Sequence, residues 1–139
     1  MEASGYFSAH GGQPPTEAGR FLNLEQVAPV SVTAGLDFRP VLGQRMLCSF
    51  VSFAPHTEAP RHTHAEEQAV IVLDGELEFD LDGDVRTIRQ GDVVVIPPWV
   101  PHGARTLDRG CREIDVFCPP RQALLDLLGA DGEPAGPGA

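Results

Sequence analysis

The stretch His62-Thr63-His64-Ala65-Glu66-Glu67-Gln68-Ala69-Val70-Ile71-Val72-Leu73 decides how this chain folds and what it can hold. Two imidazoles at i and i+2 of an extended chain project from one side, so both can reach a common ion. The apolar run directly behind them predicts a buried strand over Gln68–Leu73. Outward from it, short apolar runs broken by turn residues predict strands at Val30–Thr33, Arg45–Phe53, Glu76–Leu81, Val85–Arg89, Asp92–Ile96, Gly103–Leu107 and Arg112–Cys118. In Glu76–Leu81, Leu77, Phe79 and Leu81 alternate with Glu76, Glu78 and Asp80, the pattern of a half-buried strand. Asp74-Gly75 and Asp82-Gly83 predict tight hairpins, and Gln90-Gly91-Asp92 a third reversal. Strands this short and this regularly spaced make an all-β sandwich or barrel. The single predicted helix is Pro120–Gly129, with proline at its start, glycine at its end and leucines on one face.

A third histidine, His102, follows the apolar strand through Pro97-Pro98-Trp99-Val100-Pro101. Prolines stiffen that turn and can fix the direction of the ring. Three imidazoles suit Zn, Ni, Fe or Mn and leave positions open for a substrate. Glu66, Glu67 and Gln68 follow the pair as candidates for a further ligand, Glu66 and Glu67 in the turn and Gln68 inside the predicted strand.

These residues resemble the two signature motifs of the cupin superfamily. In the first, a histidine pair is followed by an acidic ligand and then a glycine, here His62, His64, Gln68 and Gly75. The second runs glycine, proline, histidine, here Gly91, Pro97 and His102. The resemblance implies a single-domain cupin, a double-stranded β-helix or jelly-roll barrel with a short C-terminal helix, binding one divalent metal ion through His62, His64, Gln68 and His102. Three positions depart from the motifs. Gln68 replaces the usual glutamate, His56 the leading glycine of the first motif, and Trp99 the glycine of the second. A neutral amide in place of a carboxylate leaves more net positive charge on the ion, which favours Lewis-acid work over oxygen chemistry. We expect Trp99 to pack at the barrel mouth and His56 to serve as a turn residue or pocket wall.

Along Arg112–Cys118, Glu113, Asp115 and Phe117 share one face and Ile114, Val116 and Cys118 the other. The first face suits a polar cavity inside a small barrel. Asp115-Val116-Phe117-Cys118-Pro119-Pro120-Arg121 is similar to the closing motif of the pectin-degradation cupins, which linearise unsaturated uronates. That group also carries a glutamate before the ligand glutamine, as Glu67 and Gln68 do. The resemblance spans about Phe21 to Leu128 and implies that Asp115, Phe117 and Arg121 lie at the substrate site. Asp115 would move a proton, Phe117 shape the pocket and Arg121 hold an anionic group. As a purely structural pair, Asp115 and Arg121 would neutralise one another near the surface.

The 139 residues fit one domain, divided into a flexible leader over 1–20, the barrel over 21–129 and a flexible tail over 130–139. His10 falls in that leader. The net charge of −10 and the scatter of ten basic residues, all arginine, offer no basic stripe to nucleic acid. With no lysine, Schiff-base chemistry is excluded. No apolar run approaches membrane-spanning length, and no secretion signal opens the chain. Three cysteines without a CxxC pair predict reduced thiols in a cytoplasmic protein. Cupins often dimerise through sheet edges, so a homodimer with a small-molecule substrate is expected. The leading functional expectation is a metal-dependent isomerase or ring-opening enzyme acting on a carboxylate- or carbonyl-bearing substrate. A polyketide cyclase or tailoring enzyme is the alternative, and an iron-dependent dioxygenase or a non-catalytic metabolite-binding barrel would use the same scaffold.

Overall fold

The computed structural model describes residues 4–8 and 11–128. His10 and the tail expected over 130–139 lie outside the described residues. Nine strands carry the fold: β1 (Val30–Thr33), β2 (Leu36–Leu42), β3 (Leu47–Phe53), β4 (Glu58–His62), β5 (Glu67–Leu81), β6 (Asp84–Arg89), β7 (Val93–Ile96), β8 (His102–Arg105) and β9 (Cys111–Cys118). A four-residue helix α1 (Ser4–Phe7) lies in the leader, and α2 (Gln122–Leu125) follows β9. Helix α2 is shorter than the predicted Pro120–Gly129, and tight turn bonds from Leu127 and Leu128 back to Leu124 and Leu125 finish it. No described helix is long and apolar enough to cross a membrane.

All pairings are antiparallel. One sheet runs β1-β2-β3-β9-β5-β7, and the other runs β6-β5-β8-β4. They share β5, whose first half pairs with β7 and β9 and whose second half pairs with β6 and β8. The antiparallel barrel of the expected fold class therefore closes through one strand of 15 residues.

That strand corrects the expected hairpin at Asp74-Gly75. The chain does not reverse there; it bulges, with a register shift against β9 between Val72 and Asp74. The extra residue switches which parity faces inward, from Gln68, Val70 and Val72 before the bulge to Leu77 and Phe79 after it. Gly75 takes φ 79°, and a Cβ there would run into the Gly110 carbonyl oxygen. Only glycine allows β5 to bend so close to the Gly110 turn. The other two reversals form as expected, linking β5 to β6 and β6 to β7.

Two strands escaped the sequence reading, β2 and β4, and each contains a proline. Pro40 sits where β2 has partners only on the β3 side, because β1 reaches no further than Phe38. Pro60 sits in β4, which pairs only with β8 and slips register between Ala59 and His62. In both places one side of the strand is unpaired, where a residue without an N–H is tolerated. The core between the sheets is built from Leu36, Val51, Phe53, Val70, Val72 and Leu77, with Phe79, Ile88, Ile96 and Cys111 completing it.

Candidate metal centre and cavity

The register of the second sheet brings the histidines together. His62 ends β4, His102 begins β8, and the two are cross-strand partners with ring centroids 4.3 Å apart. His64 follows in the connection to β5, held from behind by the Trp99 N–H, which donates to its carbonyl at 2.8 Å. One ligand atom from each of His62, His64 and His102 lies within 4.8 Å of the others. Rings from the core orient two of them: Phe79 stacks on His102 and Phe117 meets His64 edge-on.

Each ring donates its Nδ1–H to a nearby carbonyl: His62 to Pro60 at 2.7 Å, His64 to Glu66 at 2.9 Å and His102 to Val100 at 2.9 Å. This fixes one tautomer for all three and leaves three Nε2 lone pairs free. The Nε2 of His102 is buried without any partner. Gln68 donates through Nε2 to Asp115 Oδ1 at 2.9 Å, which turns Oε1 toward His64 Nε2, 3.0 Å away. Two acceptors then face each other, an arrangement relieved only by a proton or a cation. Burial lowers the proton affinity of His64, with Arg121 adding to it, and burial takes His102 down to about 4. The cluster therefore resists a proton and fits a divalent cation with three imidazole nitrogens and one amide oxygen.

Glu66, the rival ligand, is buried but points elsewhere. Its Oε2 accepts the Gln122 N–H at 2.7 Å and its Oε1 lies 3.5 Å from Arg121 Nη1. Burial works to raise its proton affinity, but these partners outweigh that and hold the carboxyl below the usual range. Arg121 is thus paired with Glu66, and among the described residues no Asp115–Arg121 bridge forms. Arg121, Asp115 and Phe117 all line one cavity of about 430 Å³, together with Gln68, His62 and His102. Phe117 is also packed against Leu47 and Leu124.

Two residues take roles other than those the sequence reading gave them. Glu66 ties α2 and Arg121 to the ligand loop, a function invisible without the helix contact. Glu113 lines the cavity beside Asp115, is 3% exposed, and has an Oε2 with no hydrogen-bond partner. Burial, then the neighbouring Asp115, pushes the Glu113 carboxyl well above the carboxylate range. Burial also raises Asp115, against hydrogen bonds from Glu113 and Gln68. The inward alternation of β9 was the available signal for Glu113.

Trp99 does not pack at the mouth as expected: it is 64% exposed. Its indole stands out from a turn in which Val100 N–H bonds to the Pro97 carbonyl, Pro98 is second and Trp99 third with φ 69°. His56 likewise takes φ 54°, in an exposed turn beside Asp108. Both residues that replace motif glycines therefore keep a glycine-type backbone. All three cysteines are free thiols, and burial raises Cys111 to about 11.

A two-sheet antiparallel barrel with three histidines converging from two paired strand ends and the connection after one of them defines a cupin. The chain belongs to the cupin superfamily, and the family's cupin-domain model matches residues 49–117. Its structure is similar to that of KdgF from Halomonas sp., with TM-score 0.73 and 27% identity over 78% of this chain and 100% of that one. It is also similar to an RmlC-like cupin from Shewanella frigidimarina, with TM-score 0.71 and 27% identity over 77% of this chain and 96% of that one. The polyketide cyclase RemF from Streptomyces resistomycificus has TM-score 0.65 and 21% identity, covering 73% and 80% of the two chains, a likeness of fold alone.

Proposed function

We propose that this cupin is a metal-dependent enzyme that isomerises or ring-opens a small oxygenated substrate bearing a carboxylate or carbonyl. The observation that carries this reading is the convergence of three tautomer-fixed Nε2 atoms and the Gln68 amide oxygen beside Asp115, at the wall of a cavity that Arg121 also borders. A divalent ion such as Zn, Ni, Fe or Mn, held by His62, His64, Gln68 and His102, supplies Lewis-acid polarisation when bound. Arg121, steadied by Glu66, holds an anionic group of the substrate with its planar fork. Asp115 takes a proton from a carbon or hydroxyl next to the polarised group and returns it to the neighbouring position. The hydrogen bond it accepts from Gln68 Nε2 keeps the carboxylate aimed into the cavity. Phe117 closes the site against water on the side of His64.

The closing motif favours a 4,5-unsaturated uronate as substrate. Loss of the conjugated alkene absorbance with zinc- or nickel-loaded protein tests it, with Asp115→Asn and Arg121→Ala expected to abolish turnover. No absorbance change discards that substrate. The mainly apolar cavity wall favours a second reading, a cyclase or tailoring enzyme acting on a polyketide-like molecule. A homodimer in the cytoplasm remains part of the proposal, and light scattering on the purified protein tests the dimer.

A further inference from the structure

We infer that the cavity takes a planar, largely apolar substrate whose carboxylate or carbonyl end faces the histidines and Arg121, and whose far end carries a hydroxyl that bonds to Glu113. This deepens the second, polyketide-like reading given above against the uronate one, and rests on the metal-and-arginine anchor that both share.

The cavity has two chemically distinct ends. At one stand His62, His102, Gln68, Asp115 and Arg121. The other wall is made by Leu36, Phe38, Val51, Phe53 and Leu77, with Phe79, stacked on His102, between the two. At about 430 Å³ it has the size of a small-molecule site, for which about 300–1,000 Å³ is usual. A simple sugar acid carries hydroxyls around its whole ring, and the apolar wall leaves most of them without partners, which penalises their burial. A flat hydrocarbon body instead exchanges water for contact with three phenyl rings.

Glu113 supplies the buried carboxyl of that inner wall; Thr33 and Glu58, which also line the cavity, are exposed. It faces inward from β9 two residues before Asp115, opposite Val51 on β3 and Val72 on β5. Two residues of strand place it roughly 6–7 Å beyond Asp115, on the side away from Gln68. Buried carboxyl oxygens are almost always hydrogen-bonded, and its Oε2 is not. That oxygen is therefore left as an acceptor for a donor brought in by the ligand. A hydroxyl at the distal end of an otherwise apolar molecule meets that requirement.

Calorimetric titration of zinc-loaded protein with 6-hydroxy-2-naphthoate, 2-naphthoate and D-galacturonate tests the inference. The hydroxynaphthoate is expected to bind about tenfold or more tightly than galacturonate and about fivefold more tightly than 2-naphthoate. Glu113→Val should remove the fivefold advantage of the hydroxyl while keeping 2-naphthoate binding, and Glu113→Gln, which retains an acceptor oxygen, should keep most of it. Galacturonate binding as tightly as the naphthoates, or a hydroxyl advantage unchanged in Glu113→Val, overturns the inference even if the valine change is the only failure. Naphthoate affinity unchanged by both chelation and Arg121→Ala would instead refute the anchor, and with it the orientation assigned here. The comparison of the three ligands on the parent protein needs no variant to fold.

Discussion

Replacing Glu66 with alanine should loosen the C-terminal helix and Arg121 together. Its carboxylate is 6% exposed, accepts the Gln122 N–H at 2.7 Å and stands 3.5 Å from Arg121. Truncation strands a partly buried amide donor, costing about 1–3 kcal/mol. It also leaves a guanidinium, itself only 24% exposed, without its counter-charge. A total near 2–3 kcal/mol corresponds to a fall in Tm of about 8–10 °C for a domain of this size. Glu66→Gln keeps an oxygen for the amide but not the charge, so about 1 kcal/mol should be lost. Thermal unfolding followed by circular dichroism measures both. Binding of a carboxylate ligand should weaken in both variants, because Arg121 is no longer steadied. The reasoning is refuted if Glu66→Ala melts within 2 °C of the parent, a threshold of roughly half a kcal/mol, or if the two variants behave alike.

Three further outcomes follow from the site and its frame. Metal-free protein should lose stability as pH falls from 6.5 toward 4, because His102 takes up a proton at 6.5 when unfolded but only at about 4 when folded; the loss, read by urea titration, reaches roughly 3 kcal/mol and should become larger when zinc is added, because protons then also displace the ion. Glu113 has the opposite sign: its raised carboxyl stabilises the fold below the ordinary carboxylate range, and that contribution is lost as pH rises. Glu113→Gln should therefore gain Tm over the parent between pH 5 and pH 8, and a pH-independent difference would contradict the burial argument. Gly75→Ala should cost about 3 kcal/mol or more, by combining a positive φ with a collision against the Gly110 carbonyl, and a Tm close to the parent's would show that β5 can bend without glycine.

The histidine cluster was legible in the sequence because its members are nearly local: His62 and His64 are two residues apart, and a proline-rich turn delivers His102. The strands with strong alternation or long apolar runs were equally plain. Pattern failed where edge position overrode it. Pro40 and Pro60 forbid interior strands, yet β2 and β4 tolerate them on unpaired sides. Asp74-Gly75 has hairpin chemistry, but here the glycine bends one long strand, because Val70, Val72, Leu77 and Phe79 must all reach one core. The partner of Arg121 could not be read at all. Asp115 is nearer in sequence, and only the docking of α2 on the ligand loop selects Glu66. The two motif glycines replaced by His56 and Trp99 show a backbone need persisting under a changed side chain.

The central claim is that His62, His64, Gln68 and His102 hold one divalent cation. Titrating chelator-treated protein with cobalt(II), while following its visible absorption bands, tests this directly. Saturation at one equivalent in the parent, and its loss in His102→Ala with the fold intact by circular dichroism, is the expected result. An absence of saturable bands in the parent, or the same one-to-one endpoint in His102→Ala, would contradict it.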